Sequence, residues 1–205
     1  MAGKFLELAL TESVCKAQEH YYGGTRRVES SGGRDTLTEE EKIYIESRDS
    51  FYIATVTETG WPYVQHRGGP PGFLHVLDSQ TLAFADYKGN RQLLSTGNLA
   101  SNDRVALFLM DYARRERLKI LGHVKVQDAR EHPDLAENLA EARVRRFVER
   151  FFYIDIIAFD WNCSQYITPR YTAGEVSGLI TPLQQRVAEL EAQLEQVRLD
   201  AKEHK

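Results

Sequence analysis

Two cysteines in 205 residues, Cys15 and Cys163, are too few for the disulfide framework of a small secreted domain. A reducing, cytoplasmic setting is the matching expectation. Positive charge is not in excess: 26 Lys and Arg against 30 Asp and Glu leave a net charge of −4. That balance argues against a general nucleic-acid binder, which is usually basic. Long apolar runs are also missing. The most apolar stretch, FFYIDIIAF (151–159), carries Asp155 and is far shorter than the roughly 20 residues a membrane crossing needs. The N-terminal MAGKFLELALTESV is broken by Glu7 and has no cleavage-site pattern, so no signal peptide is expected. His123, His132, Asp134 and Glu137 form no ligand spacing, so no metal is expected. What is present is an ordinary globular composition, 42% hydrophobic and 27% charged. The length suits one sizeable domain with an appendage.

Residues 5–20 carry a loose helical pattern, and the Gly- and Ser-rich stretch 23–35 reads as an arm. Thr38 and Glu41 stand at capping-box spacing and open a helix over 36–48. From Phe51 the pattern turns to β. The run 51–67 folds as a hairpin about Glu58-Thr59-Gly60, and strands 72–77 and 81–86 flank Asp78-Ser79-Gln80. A helix is compatible with 90–100, strands with 103–112, 117–128 and 151–161. Pro133 and the spacing of Leu135, Leu139, Ala142, Val144 and Phe147 predict a helix over 132–150. Hairpin order without βαβ alternation predicts a mainly β (α+β) fold, a six-stranded antiparallel barrel with flanking helices.

The last segment differs. Thr181, Pro182 and Gln184 combine an N-cap, an N1 proline and a capping-box partner. Behind them Leu183, Val187, Leu190, Leu194 and Val197 recur at 4-3-4-3, flanked by Gln184, Arg186, Glu191, Gln193 and Arg198. The pattern serves either a self-pairing helix or one docked on its own domain. The expected division is 1–36 helix and arm, 37–178 barrel, and 179–205 C-terminal helix.

One turn stands out. DYKGNRQLLSTGN (86–98) follows the apolar run Leu82–Ala85 and crowds Asp86, Lys88, Gly89, Asn90, Arg91 and Gln92 together. Guanidinium matches phosphate oxygens bidentately, and glycine allows close approach. A helix starting at Asn90 would add first-turn amides to the same attraction. A solvated turn explains these residues equally well. The hairpin beside it, GWPYVQHRGGPPGFL, brings Gln65, His66, Arg67 and Gly68 alongside strand 81–86, a wall of amide, imidazole and guanidinium donors. A ligand with a phosphate tail and a hydrogen-bonding ring suits such a wall.

The order of a helix, FYIATVTETGWPYVQHRGG, LAFADYKGNRQLLSTGNLASNDRVALFLM and RLKILGHVKV resembles the pyridoxamine 5′-phosphate oxidase-like flavin-binding proteins. It is more similar to their predicted flavin-nucleotide-binding branch than to the vitamin oxidases, and it spans residues 37–171. The resemblance implies a split β-barrel homodimer holding flavin mononucleotide (FMN) between subunits. By position, Arg91 matches the phosphate-binding arginine, Gln92 stands where the oxidases carry a second cation, and Lys88 is placed to supply that charge. Gln65, His66 and Arg67 match the strand along the ring's pyrimidine edge. DWNCSQ makes Trp161, Asn162 and Gln165 candidates for ring contact from the partner, with Arg170 corresponding to a substrate-phosphate residue. Arg117 and Lys119 would meet the phosphate of the other subunit's flavin.

The implied activity is an FMN-dependent oxidoreductase of unknown substrate, with His66 as the one candidate catalytic group. The rival readings are a flavin carrier or sensor without turnover, and a split barrel using haem or a deazaflavin. Each residue also has a plainer role: His66 as an ordinary strand histidine, Trp161 as core, Cys163 as an inert thiol.

Overall fold

The computed structural model describes residues 3–26, 28, 32–161 and 164–203, with side chains through Asp200. It divides into two compact units, Met1–Asp111 with Glu116–Gln165, and Tyr112–Arg115 with Tyr166–Lys205.

The first unit is built on β1 (Ser50–Val56), β2 (Pro62–Gly68), β3 (His75–Asp78), β4 (Thr81–Tyr87), β5 (Arg104–Asp111), β6 (Glu116–Asp128) and β7 (Val148–Trp161). They form one antiparallel sheet in the order β2-β1-β5-β6-β7-β4-β3, with seven strands where six were expected. The sheet does not close by backbone pairing, because β2 and β3 are its edges. It curls instead, and side chains of β2 reach β4. This is the expected split-barrel architecture.

Alternation explains the curl. On β1, β5 and β6 as far as Val124 every second residue is buried, which places Phe51, Ile53, Leu107, Leu109, Leu118 and Ile120 on one concave face. Phe84 of β4 and Phe152 of β7 complete this core, with ring centroids 4.9 Å apart. The long β6–β7 pair bends at a register shift at Gly122. A Cβ there would stand 2.6 Å from the Asp155 carbonyl oxygen, so the position needs glycine for the close approach.

Helix α3 (Glu39–Glu46) covers one end of the core, burying Tyr44 and Ile45. Its predicted capping box is present. Glu41 accepts hydrogen bonds from the Thr38 backbone (2.9 Å) and hydroxyl (2.6 Å), while its other oxygen accepts from Trp161 Nε1 at 2.7 Å. Burial raises the Glu41 pKa, but the bonds from Thr38 and Trp161 outweigh it and hold the group below its ordinary value of 4.5. The carboxylate therefore stabilises the fold fully above that value, and the contribution is lost as pH falls through the lowered folded pKa. Urea unfolding at pH 7 and pH 4 should show a smaller drop for Glu41→Gln than for the wild type. An identical drop in both would remove Glu41 from the acid response.

Other expected helices change their bounds more. The helix over 132–150 is instead α5 (Leu135–Leu139) and a 3-10 turn (Arg145–Phe147), and Val148 already begins β7. Arg145 ends α5 early by donating to the carbonyls of Ala140 and Glu137, both at 3.0 Å. The 90–100 helix is α4, Leu94–Ser101. The N-terminal pattern splits into α1 (Gly3–Ala9) and α2 (Glu12–Tyr22), the second capped by Thr11.

In the second unit, α6 runs from Ala173 to Glu203 and Pro182 lies inside it. An earlier capping box starts it: Thr172 Oγ1 accepts from the Glu175 amide (3.2 Å) and Glu175 accepts from the Thr172 amide (2.7 Å). Thr181, expected as the N-cap, instead donates its hydroxyl to the Ser177 carbonyl at 2.8 Å. Among the described residues no helix is long and apolar enough to cross a membrane.

Candidate functional site

A cleft of about 220 Å³ opens where the end of β4 meets β2, the start of α4 and the start of β7. Alternation on β2 decides which donors reach it. Tyr63, Gln65 and Arg67 line the cleft, whereas His66 faces away, its ring centroid 5.6 Å from that of Tyr52 on β1. The imidazole is therefore not part of the wall, contrary to the sequence expectation, because neighbouring strand residues point to opposite faces. Gly68 ends β2 outside the lining.

Arg67 crosses from β2 to the buried Asp86 of β4, and Arg150 of β7 donates to the same carboxylate at 2.9 Å. The Arg67 guanidinium also lies 5.5 Å from the Phe152 ring centroid. Its Nε is buried without a hydrogen-bond partner among the described residues. Asp86 was expected as a binding residue; the structure places it beneath the cleft as the carboxylate that fixes two arginines.

The turn itself is shaped by its own amides. Asn90 Oδ1 accepts from the Gln92 amide and Asn90 Nδ2 donates to Gln92 Oε1, both at 3.1 Å. Arg91 and Leu93 then take the left-handed conformation (φ 64° and 56°), which postpones the helix from Asn90 to Leu94. No side chain caps α4 at Leu93. Its first-turn residues Leu94, Ser95 and Thr96 line the cleft. The helix start is held there by Ser95 Oγ donating to Gln65 (2.8 Å) and Asn98 donating to Thr55 on β1 (2.9 Å). Gly89, Asn90, Arg91 and Gln92 all border the cleft, while Lys88 does not and its side chain is exposed. The lining carries three arginines (Arg67, Arg91, Arg150) against two carboxylates (Asp86, Glu149). An uncapped helix start and one more guanidinium than carboxylates make the cleft electrostatically suited to an anion.

Sequence reasoning missed Arg150, Tyr63, Tyr87, Ser95 and Glu149 in this lining. Arg150 was hidden by the helix expected over 132–150. In β7 it sits directly opposite Asp86 in the strand register.

The remaining expected residues lie elsewhere. Arg117 and Lys119 occupy the face of β6 opposite the core: Arg117 lies 5.8 Å from the Phe108 ring centroid, and Lys119 pairs with Asp160 at 2.8 Å. Trp161 packs against the core with its ring 4.6 Å from Tyr44. Gln165 is exposed, Asn162 lies outside the described residues, and Arg170, in the second unit, lies 5.0 Å from the Tyr112 ring centroid.

Residues 37–160 match the family model described as pyridoxamine 5′-phosphate oxidase. Among solved structures, the chain is similar to a putative pyridoxamine 5′-phosphate oxidase from Lactobacillus delbrueckii. The two are 21% identical over 61% of this chain and 93% of that one, with a TM-score of 0.48. It is also similar to General Stress Protein 26 from Bacillus anthracis, at 13% identity over 61% and 94% of the two chains, TM-score 0.46. An FMN-binding protein from Syntrophomonas wolfei shares 11% identity over 60% and 87%, TM-score 0.42. No curated protein matches the sequence. With the family match covering more than half of its 205 residues, on the split sheet just described, the chain belongs to the pyridoxamine 5′-phosphate oxidase family.

Proposed function

We propose that this protein binds FMN, with the phosphate in the cleft at the start of α4, and serves as a flavin-dependent oxidoreductase. The observation that carries the reading is the convergence of an uncapped helix start with Arg91 and Arg150 on one opening. Arg91 would grip the phosphate from the turn, and Arg150, anchored by Asp86, would hold its far side. The Arg67 guanidinium and the Gln65 amide, both in the lining, supply donors of the kind a flavin ring edge accepts. The residues present thus fit the cofactor's phosphate and polar edge.

The cleft, at about 220 Å³, falls below the roughly 300 Å³ at which small-molecule pockets begin. A second protomer would complete the site, contributing Arg117 and Lys119 from the outer face of β6 and the segment after Trp161. Bound FMN supplies the hydride or electron chemistry, while this chain binds and orients it and stabilises negative charge at the ring edge. No histidine or cysteine borders the cleft among the described residues, which suits a site where the side chains bind and the cofactor reacts.

Calorimetric titration of the purified protein with FMN tests the reading. Saturable binding is expected, with riboflavin weaker by at least about tenfold for want of the phosphate contacts. Absence of FMN uptake overturns it. Reduction of the complex by a nicotinamide donor and reoxidation by air would separate an enzyme from a carrier.

A further inference from the structure

The extra turns of α6 lengthen its apolar seam. Val176, Ile180, Leu183, Val187, Leu190, Leu194 and Val197 recur at 4-3-4-3-4-3, three full heptads within one continuous helix. Every one is exposed, from 38% at Val176 to 67% at Leu183. A helix owes most of its stability to a covered apolar face, so an amphipathic helix of 31 residues calls for a partner. The choice of residues identifies that partner. In heptad terms Ile180, Val187 and Leu194 are a positions, and Val176, Leu183, Leu190 and Val197 are d positions. β-branched residues at a with leucine at d, as in the layers 180–190, favour two parallel strands.

The flanking charges agree. In a parallel, in-register pair, Arg186 at g faces Glu191 at e of the partner helix, twice by symmetry. An antiparallel pair that stacks the layers from Ile180 to Val197 instead sets Arg186 against Gln193 and Glu191 against Gln184. Only the parallel arrangement gives both charges a partner of opposite sign. In the single helix Arg186 bonds Glu189 at 2.8 Å, an exposed pair that gives little resistance to reorientation. Pro182 sits at a c position, away from the seam, where its missing amide does not disturb the interface. We propose that α6 pairs with α6 of a second copy of this chain as a parallel, in-register two-stranded coiled coil. The inference stands apart from the flavin reading, because no cleft residue enters it.

Cysteine cross-linking of the full chain tests it, in a background where Cys15 and Cys163 are replaced by serine. Leu190→Cys, at a d position, should give a disulfide-linked dimer in a glutathione redox buffer. Gln185→Cys, on the outer face of the same helix, should stay largely unlinked. Adding Arg186→Glu to Leu190→Cys turns both attractive pairs repulsive and should lower cross-linking efficiency about tenfold. Adding Glu191→Arg as well should restore it. Failure of Leu190→Cys to cross-link overturns the proposal. So does cross-linking at position 190 that ignores the charge reversal, since proximity would then come from contacts outside α6.

Discussion

Asp86→Ala is expected to cost about 3–5 kcal/mol of unfolding free energy, the largest loss from any single polar substitution described above. Asp86 is 5% exposed and is bonded by both Arg67 and Arg150, whose side chains are 16% exposed. Removing it leaves two guanidinium groups without their common counter-charge in a poorly solvated place. Each then bears a desolvation cost that nothing offsets. The same contact draws β2 toward β4, which no backbone ladder joins, so its loss also loosens the curl of the sheet. For a chain of this size the fall in melting temperature should be about 10 °C. Arg150→Met should cost clearly less, because Asp86 keeps Arg67 and only the shorter-range pairing to Glu149 also goes. Guanidinium unfolding of the two variants decides the matter. A loss below about 1 kcal/mol for Asp86→Ala would show that water reaches the cluster and screens it.

Arg91→Ala should weaken FMN about 10- to 100-fold while changing riboflavin affinity by less than about threefold. A charge-assisted guanidinium–phosphate contact has that strength, and riboflavin has no phosphate to lose. Arg91 is exposed at the cleft rim and among the described residues makes no structural ion pair of the kind Asp86 makes, so the fold should survive its removal. The left-handed backbone at this position makes Arg91→Gly a useful second variant, because glycine accepts that conformation without strain. Both variants should show the same selective loss in calorimetry. Equal weakening of FMN and riboflavin would mean that Arg91 shapes the loop without touching the phosphate.

The barrel was legible because its β-rich runs follow one another in hairpin order with turn signals between them. Runs rich in β-branched and aromatic residues such as FYIATV and VALFLM mark β1 and β5, and the Thr38–Glu41 box announces α3. The cleft was half legible. Gly-Asn-Arg-Gln after an apolar strand marks the turn, and Gln65 with Arg67 mark the wall. Assigning His66 to the same wall overlooked the period of two. Arg150 was unreadable for a different reason: Val144 and Phe147 keep helical spacing up to the point where β7 starts. Tertiary pairing with β4 overrides that local pattern. The earlier start of α6 was available in Thr172 and Glu175, but Thr181-Pro182 offered a second start signal nine residues on. Local sequence does not rank one capping box above another.

Leu93 carries a consequence beyond ligand binding. A leucine held at φ 56° costs about 1–2 kcal/mol that a glycine would not. The loop therefore stores a stability gain one substitution away. Laboratory selection for heat resistance alone should find glycine or asparagine there early. β-branched residues, which tolerate this conformation worst, should be purged from the same libraries.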